Sequence, residues 1–179
     1  MKKILLLSAF LTLCLGANAQ TNRGDISIGG GLAYGTGAAP SLSELNNSLG
    51  IQLGGFYTLT DSKLRAGLDF IYYFPDKESG VEFKLWELNA NLHYIFLEES
   101  DYFIYGLGGV NISSVKLDYE GDSFFGGGSY SESEFGLNLG AGFEYNLDFA
   151  NLFAEAKYGN LGGDADQFVL SAGLRFTLD

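Results

Sequence analysis

The sequence predicts an all-β fold, an eight-stranded antiparallel up-and-down transmembrane β-barrel, on three observations. Segment after segment alternates in polarity with a period of two; the apolar side of most alternations is the larger and more aromatic one; and the connections between segments are by turns long and tight. A period of two places successive side chains on opposite faces of a sheet. Tight turns at every second connection make consecutive strands antiparallel neighbours, with all the longer loops at one end.

The strands follow in order. Residues 24–34 set Ile26, Ile28, Leu32 and Tyr34 against Ser27, Gly29, Gly31 and Ala33, and residues 48–59 set Leu49, Ile51, Leu53, Tyr57 and Leu59 against Gln52, Gly54 and Thr58. Residues 64–74 put Leu64, Ala66, Leu68, Phe70, Tyr72 and Phe74 opposite Arg65, Gly67, Asp69 and Tyr73. In 84–96 the row Trp86, Leu88, Ala90, Leu92, Tyr94, Phe96 opposes Glu87, Asn89, Asn91 and His93. Residues 102–115 form a fifth strand whose facing stays open, because Tyr102, Ile104, Val110 and Ile112 compete with Phe103, Tyr105 and Leu107 for the apolar side. Alternation resumes in 134–146, 151–159 and 167–178, where Glu144, Glu155, Lys157 and Arg175 lie on the side opposite the leucines and alanines.

The connections run long (35–47), short (60–63), moderate (75–81), short (97–101), long (116–133), short (147–150) and moderate (160–166). Charge then decides which face is which. The large apolar rows carry almost no charge at their centres, whereas Arg65, Asp69, Glu87, His93, Glu144, Glu155, Lys157 and Arg175 share the other rows with Gly, Ser, Asn and Thr. A Lys or Arg aimed at mid-bilayer costs about 2–4 kcal/mol, so a lipid-facing wall excludes charge. A charge inside the barrel is tolerable when paired and hydrogen-bonded, and both signs are present. These eight residues are therefore expected to form a charge network in the lumen in place of a hydrophobic core. Eight strands leave an interior just wide enough for side chains to fill, which disfavours a diffusion pore. Aromatics near strand ends, among them Tyr57, Phe74, Tyr94, Phe96, Tyr145, Tyr158 and Phe168, suit girdles at two membrane interfaces.

The first residues read as an export signal. Lys2 and Lys3 precede the apolar run ILLLSAFLTLCLG, and ANA before Gln20 matches a small-x-small cleavage site, so residues 1–19 are expected to be cleaved and 20–179 to form the barrel domain. The only cysteine, Cys14, lies in that run. Without Lys2 and Lys3, 8 of the 10 basic residues face 22 acidic ones, a net charge near −14. Such a chain is a poor partner for nucleic acid. The composition, with 26 glycines, 15 phenylalanines, 11 tyrosines and two prolines, favours closely approaching strands over helices.

No pattern points to a cofactor. A zinc site is not expected of a single histidine without mature cysteines, and the acidic residues between Asp118 and Glu134 lack the spacing of a calcium loop. His93, the one candidate for acid–base catalysis, points inward near a tight turn, which assigns it a hydrogen-bonding role. In the connection 116–133, Phe124, Phe125 and Tyr130 lie among glycines and serines; they either present an adhesive patch to a partner or cover the barrel mouth and headgroups.

The leader ending in ANAQ, the eight alternating segments, Gly/aromatic stretches such as NLGAGFEYNL and the closing FVLSAGLRFTL resemble the small outer-membrane β-barrel family typified by OmpA and OmpX-type barrels. The resemblance covers about residues 24–178; where family members end on an aromatic, Phe176 here is followed by Thr177, Leu178 and Asp179. It implies outer-membrane lipid and the barrel assembly machinery as partners, a monomer, short turns in the periplasm and longer loops outside. The function expected on this basis is non-enzymatic, structural or surface-interacting. The alternatives are a soluble exported barrel holding a small apolar ligand and a lipid-modifying membrane enzyme.

Overall fold

The structure is a computed structural model that describes residues 24–36, 47–59, 63–78, 81–119, 128–161 and 166–178. The expected leader 1–19, the domain boundary at residue 20, and Phe124 and Phe125 lie outside the described residues. The strands are β1 (Ile26–Thr36), β2 (Asn47–Thr58), β3 (Leu64–Tyr73), β4 (Asp76–Glu78), β5 (Val81–Glu98), β6 (Tyr102–Tyr119), β7 (Ser129–Asn146), β8 (Asn151–Leu161) and β9 (Gln167–Leu178). Every pairing is antiparallel. Apart from β3 and β4, sequence neighbours pair, β1 pairs with β9, and β3 pairs with β5, so the sheet closes on itself. The three-residue β4 follows β3 on the same flank of β5 after a break at Phe74 and Pro75. Pro75 has no N–H to give a ladder, and the barrel therefore has eight staves.

Tight turns occupy one end, together with Gly24 and Leu178. Leu59 N–H bonds to Leu64 O at 2.8 Å, Glu99 N–H to Tyr102 O at 2.9 Å, and Leu147 N–H to Ala150 O at 2.9 Å. In the last turn Asp148 takes a left-handed φ of 67°, held by its N–H on Asn146 Oδ1 at 2.8 Å. Asx side chains support such turns locally.

Strands β5, β6 and β7 have 18 residues each, longer than expected. About 9–11 residues cross a bilayer, so these three overshoot by about 7 residues, or about 20 Å at strand rise. The connection expected over 116–133 is accordingly shorter: Lys116–Tyr119 belong to β6 and Ser129–Ser133 to β7, and Tyr130 is a strand residue. SYSESE alternates among polar types, so hydrophobicity gave no period; its pairing with Lys116, Leu117 and Asp118 makes it a strand. β6 turns Phe103, Tyr105, Leu107, Asn111 and Ser113 inward and Val110 and Ile112 outward.

Burial follows the inverted pattern. Leu32, Leu53, Leu68, Leu92, Leu137, Leu139 and Leu170 are exposed on the outer wall, while the polar rows are buried. The interior is nevertheless mixed: Phe56, Ile71, Ile95, Leu107, Phe153 and Val169 are buried beside the charges, so the network does not stand alone as the core. Aromatics flank the outer leucines in two bands, Tyr57, Tyr94, Phe96, Phe143 and Tyr145 toward the tight turns and Tyr34, Phe74, Phe135, Tyr158 and Phe168 toward the other end.

Closure of first strand on last depends on two glycines. Gly31 and Gly173 are directly opposite; a Cβ on Gly173 would lie 2.2 Å from Gly30 O, and one on Gly31 would lie 2.2 Å from Ala172 O. Gly173→Val is expected to weaken the barrel by about 1–3 kcal/mol through overpacking, read as a lower urea midpoint in lipid vesicles. An unchanged midpoint would show that the seam has slack.

Candidate functional site

The lumen side chains form three levels. Nearest the tight turns, Glu144 from the end of β7 accepts hydrogen bonds from Arg65 Nη2 at 2.6 Å and from Arg175 Nη1. Arg175 Nη2 also reaches Glu155 Oε2 at 3.2 Å, and Tyr105 OH donates to the same oxygen at 2.9 Å. The arginine side chains are covered by rings: the Arg175 guanidinium carbon lies 4.1 Å from the Phe56 centroid and 4.3 Å from that of Phe153, and that of Arg65 lies 5.3 Å from Phe103. Cation–π contact in a dry site adds to the ion pairs. This explains why aromatic residues break the polar row here.

His93 belongs to this level. Its ring stacks on Tyr105 with centroids 4.7 Å apart and planes 5° apart, and Nδ1 lies 3.0 Å from Arg65 Nη2. A guanidinium only donates, so Nδ1 is the acceptor and the neutral ring carries its proton on Nε2.

In the middle level, Asp69 is held by three amides. Gln52 Nε2 and Asn89 Nδ2 donate to Oδ1, both at 3.1 Å, and Asn91 Nδ2 donates to Oδ2 at 3.2 Å. Asn138 Nδ2 then donates to Asn89 Oδ1 and Asn91 Oδ1, both at 2.9 Å. Above it, Glu87 accepts from Lys157 Nζ at 3.2 Å, from Tyr73 OH at 2.8 Å and from Gln167 Nε2. An apolar cluster of Ala33, Ile71, Tyr73 and Val169, with Leu85 against it, lies beside this upper level.

All eight charged or titratable residues singled out by alternation are buried. Arg65, Arg175 and Lys157 pair with Glu144, Glu155 and Glu87, and Asp69 is served by carboxamides. Sequence reasoning did not single out Gln52, Asn89, Asn91, Asn138, Tyr73, Tyr105 or Gln167 as members of the set. Most share the parity of the charges, and that parity was the available signal.

Beyond the outer leucines the polarity of β5 and β6 reverses, and both rows of β7 become polar. Glu82, Lys84, Ser114, Lys116, Asp118, Ser131 and Ser133 take the outward parity, while Phe83, Leu85, Val115 and Leu117, with Tyr130, Glu132 and Glu134 of β7, take the parity of the lumen. Trp86, the one tryptophan, and Phe135 lie at the change. An outer face that turns from apolar to charged marks where lipid gives way to water.

On that raised sheet Lys84 Nζ contacts Asp118 at 3.0 Å and Glu82 at 3.1 Å, and Lys116 Nζ contacts Asp118 at 2.9 Å. Hydrogen bonds from Lys116 and Lys84 hold the Asp118 carboxyl below its usual range. A carboxylate with a lowered folded pKa contributes stability above its unfolded value, about 4, and loses that contribution as the pH falls through the folded value. Amide protection at residues 82–84 and 116–118 is therefore expected to drop below about pH 4, ahead of the staves, when corrected for intrinsic exchange. Equal protection at pH 3 and 7 would contradict it.

The profile of the outer membrane protein β-barrel domain family matches residues 5–176. Among solved structures, the chain is similar to Ail, the attachment invasion locus protein of Yersinia pestis, with a TM-score of 0.60 and 23% identity over 87% of this chain and 100% of that one. It is similar to Neisserial surface protein A with a TM-score of 0.66 and 20% identity over 84% and 96%. It is also similar to the N-terminal β-barrel domain of Pseudomonas aeruginosa OprF, with a TM-score of 0.54 and 18% identity over 88% and 100%. Curated protein sequences give no significant match. The profile spans nearly the whole chain and the closed eight-stave barrel agrees with it: the protein belongs to the outer membrane protein β-barrel domain family.

Proposed function

We propose that this barrel is a non-enzymatic surface-interaction protein, anchored as a monomer by its outer wall after signal cleavage and insertion by the barrel assembly machinery. In this reading the tight turns face the periplasm and the raised sheet of β5, β6 and β7 faces outward as the working part. The observation that carries it is an extended strand edge: among the described residues the pairing of β8 with β7 begins at Leu137, so Ser129–Ser133 run on beyond that ladder. On the other flank β4 covers the start of β5. An exposed edge offers main-chain hydrogen bonds to an added strand.

Charge supports a basic partner. Ail has been solved in complex with the heparin analogue sucrose octasulfate. On the raised sheet here, Lys84 and Lys116 are already engaged by Glu82 and Asp118, and Glu132 and Glu134 lie along the β7 edge. A sulfated ligand needs uncommitted cations, whereas this sheet suits an extended basic segment. Phe124 and Phe125 belong to the proposed patch with Tyr130, which is exposed at the same edge.

The non-enzymatic reading rests on His93, engaged by Arg65 and stacked on Tyr105 within the lumen, away from the outer wall. The polar levels of the interior likewise argue against a pocket for an apolar ligand.

The test is binding of barrel-bearing vesicles to immobilised basic peptides and to heparin. The intact chain is expected to bind the basic surface in a salt-sensitive way, and a chain with residues 116–133 replaced by a short turn is expected to lose most of it. Equal binding by both chains, or preference for heparin, would overturn the reading. For the enzyme alternative, His93→Ala is expected to leave membrane lipid composition unchanged.

A further inference from the structure

Asn111 is buried in the lumen, and among the described residues neither its Nδ2 nor its Oδ1 has a hydrogen-bond partner. Asn138 Oδ1 is in the same state. Both residues border Gly159: a Cβ built there would lie 3.3 Å from Asn138 Oδ1 and 3.6 Å from Asn111 Nδ2. The absence of a side chain at Gly159 thus leaves a space bordered by a donor and an acceptor, where even a methyl carbon would press on Asn138 Oδ1. A bulge sits at this point, since between the pairs Leu137–Leu161 and Leu139–Tyr158 strand β7 has only Asn138 where β8 has Gly159 and Asn160. Bulges of this kind re-aim side chains.

The orientation of Asn138 is dictated from a distance. The Asp69 carboxylate accepts the amide groups of Asn89 and Asn91, which leaves their oxygens to accept Asn138 Nδ2. Asn138 Oδ1 is therefore turned toward Gly159 and cannot be exchanged with its nitrogen without breaking both bonds. For Asn111 the choice does not matter, because either end is unpartnered.

We infer that the space between Asn111, Asn138 and Gly159 is a binding site for an internal water molecule, which accepts from Asn111 and donates to Asn138 Oδ1. The chemistry selects water over an ion. A cation would satisfy the oxygens and leave the Asn111 N–H groups unmet, and an anion would do the reverse, whereas water supplies both roles. The site is a hydrated station in an interior otherwise filled by side chains, linked to Asp69 through Asn138, Asn89 and Asn91.

The experiment uses the whole isotope-labelled barrel in lipid nanodiscs. Cross-relaxation between water and the Asn111 side-chain amide protons is expected in the wild-type chain, and its absence overturns the site. Urea midpoints in vesicles give an independent sign. A dry space would make Asn111→Leu neutral or stabilising, since it removes unmet polar groups. A hydrated site predicts that Asn111→Leu lowers the midpoint and that Gly159→Ala loses the water cross peak. A raised midpoint for Asn111→Leu overturns the inference. If neither variant folds, the wild-type cross peak alone decides.

Discussion

Glu144→Ala is expected to lower the folding free energy by about 3–5 kcal/mol, the cost of leaving buried charge uncompensated. Glu144 accepts from both Arg65 and Arg175 within a ring of Phe56, Phe103, Tyr105 and Phe153, and the three charged side chains are at most 1% exposed. Arg175 retains Glu155, but the Arg65 guanidinium keeps only the neutral His93 among its described side-chain partners. The double variant Glu144→Gln, Arg65→Met is expected to recover part of the loss, because a missing pair is far cheaper than a broken one. Urea titration of the barrel refolded into vesicles measures both. A loss below about 1 kcal/mol, the range of exposed pairs, would show that water reaches this end of the lumen.

The second large effect lies on the outside. Leu139 sits in the middle of β7's outward row, which runs from Phe135 to Tyr145, and is 64% exposed. On a soluble barrel, Leu139→Arg would be neutral or helpful to solubility. Facing lipid, it is expected to cost about 2–4 kcal/mol, while arginine at Ser131 on the raised sheet costs little. The contrast between the two sites, measured in the same vesicles, locates the boundary that Trp86 and Phe135 mark.

Much of this architecture was legible because a barrel writes its two solvents into alternate residues. Arg65 and Asp69 share a parity inside an aromatic run, and that alone orients β3. Two features were less legible. In β6, Tyr105 and Leu107 lie on the lumen side because the arginine level needs rings and aliphatic bulk around it, so hydrophobicity alone could not orient the strand. In Ser129–Ser133 both faces meet water or other polar groups, and the period of two vanishes from hydropathy although the strand continues. The carboxamide set around Asp69 was visible as a parity but not as a cluster, since Gln52, Asn89, Asn91 and Asn138 come from three strands whose register the sequence does not state.

The central claim, an inverted barrel whose wall meets lipid, is tested most directly by heat-modifiability. The membrane fraction is extracted in mild detergent, and unboiled and boiled samples are compared on a denaturing gel. The account predicts a faster-running unboiled band, confined to the outer-membrane extract, that shifts to the unfolded position on boiling. Full recovery of the protein in the soluble fraction without detergent would contradict it.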